Sequence, residues 1–225
     1  LITYRDLATG ERMELSALSL DNAVAKTAGL LRDELDVEAG EVVAVHLPMH
    51  WQRVVWLGAC SALGVVFAPD ADPATSDVLV TDREHLGLTG AAREDVIVSL
   101  APFGLPEPGD LPPGVTNAAV AMRSHPDVFI PDLPTTADAP LLVTGDQTLS
   151  GADVMAGAAK ALDERRVARG GRFAVIAPDA MVDVLALAGP LHLDGSAVLI
   201  THPDAGDVTA ALRDEGVSSG AGWAS

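Results

Sequence analysis

The chain carries the same pattern twice. Shifting the sequence by 130 or 131 positions lays Leu18-Ser19 on Leu149-Ser150, Leu31 on Leu162, Gly40 on Gly171, Ala44-Val45 on Ala174-Val175, Pro48 on Pro178 and Gly64 on Gly195. Each half then reads helix, glycine turn, strand, proline-marked turn, helix, glycine, strand. In the first half Leu20, Val24, Thr27, Ala28, Leu31 and Leu35 recur at helical spacing behind Ser19 as an N-cap. Residues 42–47 form an apolar, β-branched run halted by Pro48, residues 51–63 a second helix stopped at Gly64, and residues 65–67 a short strand. In the second half residues 141–144 are strand-like and residues 145–151 a loop. Ser150 with Asp153 opens a helix that runs to about residue 165 in the manner of a capping box. Strand 173–176, helix 181–191, strand 197–200 and helix 205–215 follow. Strands apolar from end to end, alternating with helices, specify parallel sheets covered on both faces. The expected fold class is therefore α/β, with two pseudo-repeated βα subdomains of largely parallel sheets flanked by helices.

Between the halves lie strand-like runs at 78–81 and 96–100, and then a change of texture. Nine prolines fall within residues 101–140 and break any long element. This stretch reads as a connector with one short helix near residues 116–123. The expected division is residues 1–100 as a first α/β subdomain, 101–139 as the connector and 140–225 as a second subdomain, in one compact unit.

The charge balance excludes some partners. Fourteen basic residues against 32 acidic ones give a formal charge of −18, which repels phosphate backbones and anionic head groups. Nucleic acid and membrane surfaces are not expected partners. No run of 18 apolar residues is present and the start lacks a signal-peptide layout, so a cytoplasmic protein is expected. Twelve arginines against two lysines point to a GC-rich bacterial genome. The single cysteine, Cys60, sits in an apolar helical pattern and reads as a small buried hydrophobe.

Leu1-Ile2-Thr3-Tyr4-Arg5-Asp6-Leu7, the helix ending Gly29-Leu30-Leu31, the run Gly40-Glu41-Val42-Val43-Ala44-Val45-His46-Leu47-Pro48, and residues 59–72 resemble the opening of adenylate-forming enzymes: acyl-CoA synthetases, luciferases and peptide-synthetase adenylation domains. Residues 140–144 resemble the strand leading into that family's phosphate loop, 171–178 its next strand, and 190–200 with 204–217 the segments beyond. The resemblance covers nearly the whole chain and points to short actinobacterial relatives of the fold. It also implies two pseudo-symmetric subdomains, in agreement with the internal repeat.

Adenylation requires backbone donors in a Ser/Thr/Gly-rich loop and a lysine at its end to cradle and neutralise the ATP phosphates. The matching loop here is Thr144-Gly145-Asp146-Gln147-Thr148-Leu149-Ser150-Gly151. It has no lysine, and Asp146 adds a charge that opposes phosphate. Thr144, Gly145, Gln147, Thr148, Ser150 and Gly151 are thus the candidate ligand-binding residues, as a remnant phosphate loop, with the helix start at Ser150-Gly151 able to hold a small anion. The family's adenine, magnesium and ribose sites and its mobile C-terminal domain map onto no residue of this sequence. No catalytic residue, metal ligand or cofactor is expected. The implied role is a non-catalytic one, through a protein partner, a homodimer or a weakly bound small molecule. An enzyme of altered chemistry and half of a split ligase are the alternatives.

Other chemistry is thin. Gly216-Val217-Ser218-Ser219-Gly220 matches the serine-hydrolase elbow G-x-S-x-G, yet neither His nor Asp follows it. Six histidines are scattered, with His46 and His50 flanking a proline turn. Asp70, Asp72 and Asp77 cluster after a strand, where they either cap turns or form a carboxylate site. Trp51 and Trp56, five apart, are expected to divide between core and an outward face.

Overall fold

The computed structural model describes residues 1–178 and 181–217. Along the chain run β1 (Ile2–Asp6), β2 (Arg12–Leu15), α1 (Ala17–Gly29), β3 (Val42–His46), α2 (Trp51–Leu63), β4 (Val66–Pro69), β5 (Val78–Thr81), β6 (Glu94–Ile97) and β7 (Val115–Asn117). Then come α3 (Ala118–Ala121), β8 (Pro140–Thr144), β9 (Gln147–Ser150), α4 (Gly151–Glu164), β10 (Arg172–Ile176), α5 (Val182–Leu193), β11 (Ser196–Thr201) and α6 (Val208–Asp214). Among the described residues the strands form a seven-stranded sheet, β7-β6-β5-β3-β4-β8-β9, and a four-stranded sheet, β10-β11-β1-β2. Pairing is parallel throughout except at β8/β9 and β1/β2. The chain is thus α/β with largely parallel sheets flanked by helices.

Two compact units result. One holds residues 1–20, 49–54 and the described part of 153–225, and the other holds 21–48 and 55–152. This corrects the division at residues 100 and 139. The opening residues 1–16, to which the apolar pattern assigns no element, form β1 and β2, and β1 lies inside the four-stranded sheet against β11. Residues 140–150 extend the seven-stranded sheet instead of founding a new one. The supposed connector supplies that sheet's other edge, β7, so the helix expected at 116–123 shrinks to α3 and one 3-10 turn. Parallel pairing is non-local, so each strand's place depends on crossovers that sequence order does not display.

The repeat is real at the level of hydrogen bonds. The register Val42↔Val66 of β3/β4 recurs as Arg172↔Ser196 of β10/β11, each residue 130 positions on. The amide of Val66 donates to Glu41 O, as that of Ser196 does to Gly171 O; Val65 donates to Cys60 O, as Gly195 does to Pro190 O. Left-handed residues coincide as well: Asp36 with Arg166, Gly40 with Gly170, and Gly64 with Asp194. The glycine matches at 131 in the sequence are therefore one residue out of structural register.

The two shifts have a physical cause. Leu30–Glu34 continues α1 as a π turn, closed by Leu35 N to Leu30 O at 3.1 Å. After it, Val37 donates to Leu31 O, whereas in the second half Val167 donates to Leu162 O. Leu31 and Leu162 are 131 apart and Val37 and Val167 are 130 apart, so the wider π turn absorbs one extra residue.

The sequence also misjudged α2. Trp51 and Trp56 are both buried, at 7% and 0% exposure, because α2 is enclosed around its whole circumference. Gly58 lets it approach α1, since a Cβ there would meet Val24 Cγ2 at 2.7 Å. In the other unit α5 packs on β10 and β11. Cys60 is free and fully buried, and burial pushes its thiol pKa up, as its apolar setting implied.

Candidate functional site

The stretch matched to a phosphate loop is a tight β-hairpin. Thr144 pairs with Gln147, Val143 with Thr148 and Leu142 with Leu149, so only Gly145 and Asp146 remain as turn. Gly145 has φ +56°, the conformation that a first central residue without a Cβ adopts in a two-residue hairpin turn. The expected loop of residues 145–151 is thus mostly the edge strand β9. Thr144, Gly145, Gln147 and Thr148 are exposed, and Ser150 and Gly151 half-buried. At the start of α4 the amides of Gly151 and Ala152 already donate to Ala139 O (3.2 Å) and Ala137 O (2.7 Å). The candidate residues are therefore neighbours on one hairpin, but they do not enclose a space. Asp146 sits at the tip.

The carboxyl edge of the parallel part of this sheet is more polar than its sequence pattern suggests. Strand order places β3 between β4 and β5, with β3 connecting to β4 on one side and β5 continuing to β6 on the other. Such a switch point is where open α/β sheets bind ligands. Cross-strand register aligns His46, Thr81, Ile97 and Asn117 in one row. Thr81 Oγ1 and Asn117 Oδ1 are buried without a hydrogen-bond partner. Beside them Asp82 Oδ1 accepts from the amide of His85 and lies 2.8 Å from its Nδ1, and the His46 and His85 ring centroids are 6.3 Å apart. His46 Nε2 donates to Ala71 O at 2.8 Å, which leaves its Nδ1 facing Asp70 at 3.9 Å. Of the aspartate cluster, Asp72 caps the Pro73–Thr75 turn through the amide of Ala74, and Asp77 accepts from Val42 N. They serve turns and strand ends. No group of three or more His, Cys, Asp or Glu side chains among the described residues is arranged to hold a metal.

The four-stranded sheet has its own polar end. Asp6 Oδ1 accepts from the amides of Ala8 and Thr9 and pairs with His202 Nδ1 at 2.9 Å. Burial raises its pKa, but these bonds outweigh burial and hold the carboxyl below its usual range. His50 is 3% exposed and packs edge-on against Tyr4, with ring centroids 4.6 Å apart. Its Nδ1 accepts from the amide of Gln52, so the neutral ring carries its proton on Nε2. Nε2 faces Glu11 Oε1 at 3.9 Å, and neither atom has a hydrogen-bond partner. Burial pushes His50 down to about 4 and Tyr4 up to about 12; Glu11 is raised by burial and then by Asp6. Arg53 clamps Asp183 at the start of α5 in a bidentate pair of 2.7 and 2.8 Å. Residues 218–220 of the G-x-S-x-G match lie outside the described residues.

None of the buried polar atoms in these two clusters was identified from sequence. The row His46-Thr81-Ile97-Asn117 exists only once strand order is known. His50 was noted only as a turn residue.

The fold is similar to that of an acyl-CoA synthetase from Brucella canis, with a TM-score of 0.74 and 16% identity over 96% of this chain and 43% of that one. At such identity the likeness is one of fold. In sequence, 137 residues are 44% identical to a TIGR03089 family protein of Mycobacterium tuberculosis, covering 58% of this chain and 56% of the relative. The chain thus spans about half the length of the proteins it matches. No protein-family model matches it.

Proposed function

We propose that the chain is a non-catalytic acyl-CoA-synthetase-like protein that acts through a protein partner or a weakly bound small molecule. The observation that carries this reading is the hairpin at residues 144–151. A cradle for triphosphate needs several free amides converging on one point and a cation to neutralise the charge. A two-residue turn offers no such convergence, the first amides of α4 are bonded to Ala137 and Ala139, and the charge added at the tip is that of Asp146. Titration calorimetry with ATP, AMP, CoA and an acyl-CoA, run beside ATP–pyrophosphate exchange, tests it. The expectation is no exchange and no micromolar ATP binding; either one overturns the reading.

A second reading, a small-molecule site of altered chemistry, is favoured by the polar row at the β3/β5 switch point. Two buried, unpartnered oxygens on Thr81 and Asn117 are costly without a hydrogen-bonding guest. A cationic or neutral polar ligand suits the nearby Asp70 and Asp82. Thr81→Val separates the readings: loss of binding of a co-purified small molecule supports the site, and unchanged binding removes it.

A further inference from the structure

Two oxygens at the carboxyl ends of β5 and β7 lack the bond that burial demands. Thr81 is fully buried, and its Oγ1 has no hydrogen-bond partner. Asn117 donates Nδ2 to Glu107 O at 3.0 Å, which fixes the orientation of its amide and leaves the buried Oδ1 unpartnered. Between them in the row stands Ile97 of β6, an apolar side chain with 0% exposure. Cross-strand partners in a parallel sheet project from the same face, so the row runs polar, apolar, polar.

The chain that leaves β6 passes across this row. Its first turn is set by Ala101 N, which donates to Ser99 Oγ at 3.2 Å. Because β6 lies between β5 and β7, Glu107 is tied to both sides. Its carboxylate accepts from Arg83 Nε at 2.8 Å, just past β5, and its carbonyl accepts from Asn117 at the end of β7. Arg83 Nη2 also donates to Pro108 O. Upstream of this latch Phe103 and Gly104 are both left-handed, at φ +63° and +62°. A phenylalanine held there is strained, and Phe103 is 79% exposed, so the turn can relax without losing packing.

We propose that residues 101–110 are a hinged strap over a binding site for a short linear molecule with a hydrogen-bond donor at each end and apolar carbons between, a diol or a diamine. This deepens the small-molecule reading above and rests on it. Asn117 Oδ1 can only accept, so the guest donates at that end, and Thr81 Oγ1 accepts at the other. Carboxylates and phosphate groups bring acceptors to acceptors, so acids are not the guest. Two strand spacings put the Thr81 and Asn117 Cα atoms about 10 Å apart, and a hydrogen bond of about 2.8 Å at each end leaves donors about 5 Å apart, the reach of a chain of about four carbons. Ile97 meets the carbons between. Both oxygens are covered in this structure, so entry requires that Arg83 release Glu107 and that the strap swing at Phe103-Gly104.

Titration of the wild-type chain with 1,4-butanediol and with 1,4-diaminobutane, followed by backbone amide NMR, tests this, with 1-butanol as the one-donor control. The diol and the diamine separate a neutral guest from a cationic one. The expected result is a saturable shift at residues 81, 97 and 117 with at least one of the two, and weaker binding of 1-butanol. Thr81→Val is expected to bind about fivefold more weakly, the worth of one hydrogen bond. It removes an unpartnered hydroxyl while keeping the side chain's shape, so a thermal melt no lower than wild type verifies that the variant is folded. Glu107→Gln, which weakens the latch, is expected to speed hydrogen exchange over residues 101–110. No saturable shift with either probe, equal binding by Thr81→Val, or 1-butanol binding as tightly as the diol overturns the proposal, and unchanged exchange in Glu107→Gln overturns the strap. A co-purified molecule that Thr81→Val loses, with neither probe binding wild type, keeps the site and removes this ligand class. A co-purified molecule held equally by Thr81→Val removes the site and the proposal together.

Discussion

Arg172 of β10 and Glu215, one residue beyond α6, are bonded twice, through Nε to the backbone carbonyl at 2.6 Å and through Nη2 to the carboxylate at 3.2 Å. The same carboxylate accepts from Arg5 Nη1 and Arg12 Nε at 2.8 Å each. Its side chain is only 4% exposed, so a strand from each end of the chain is tied to one buried charge. Removing one member of a buried ionic cluster leaves the others uncompensated. Glu215→Gln is expected to cost about 2–3 kcal/mol, below the full penalty of a buried pair because the arginines are partly solvated. Urea unfolding checks this.

The same cluster predicts an acid limb. Hydrogen bonds from Arg12, then Arg5, hold Glu215 at about 2, well below its ordinary 4.5. Protons therefore bind the unfolded chain first. The stabilisation is fully present above pH 4.5 and is lost as pH falls towards 2, and this limb should be shallower in Glu215→Gln. Stability measured as a function of pH below 4.5 decides it.

His50 should act in a separate window. Burial lowers its pKa from 6.5 to about 4, so between those values the unfolded state takes up a proton that the folded state refuses. Stability is complete above pH 6.5 and declines to pH 4, by about 3 kcal/mol at most for a shift of this size. In His50→Gln the slope between pH 6.5 and 4 should flatten, while the limb below 4.5 due to Glu215 persists. A retained slope would assign the transition to another group.

At the hairpin, Asp146→Lys replaces the opposing charge with the missing cation. Calorimetry should still detect no micromolar ATP binding, because the amides of Gly151 and Ala152 remain bonded to Ala139 and Ala137. Gly145→Ala should cost about 1 kcal/mol through its positive φ. ATP binding by Asp146→Lys would place the defect in charge alone.

The π turn makes a deletion experiment specific. Removing exposed Asp33 should let the turn close as ordinary α-helix with the flanking registers unchanged, at a cost of about 1–2 kcal/mol. Removing Ala25 from within α1 rotates every later side chain and should abolish cooperative unfolding. Equal effects from the two deletions would contradict this account.

Much of the architecture was legible because burial writes itself into apolar runs. Helix α2 and strand β5 lie where the pattern puts them, and β3, β10 and β11 are displaced by one residue or two at an end. What escaped were elements whose side chains are mixed. In β1, Thr3, Arg5 and Asp6 dilute the run although four of its five residues are buried. Strand β9, Gln147–Ser150, is polar because it lies at an edge facing solvent. The helix expected over residues 205–215 breaks into a 3-10 turn at Pro203–Ala205 and the shorter α6, with Asp207 as its cap. Its period is helical throughout, but Gly206, with an extended backbone at φ −160°, interrupts it. The candidate site was least legible. Its glycine and hydroxyl residues are those of a loop, and only the pairing of Thr144 with Gln147 reveals a turn too short to hold anything.

The pairing of Ile2 with Ala197 fixes an order of events on the ribosome. Residues 21–152 can complete the seven-stranded sheet while the remainder is still being made, but β1 has no parallel neighbour until β11 emerges. Although made long before β11, β1 is thus among the last strands to be seated. Closing so long a loop slows this step, and until then the hairpin of β1 and β2 exposes an apolar face and an open edge. A nascent-chain arrest series should show protease resistance arriving in two stages, the seven-stranded unit first and residues 1–20 only after β11 has left the exit tunnel.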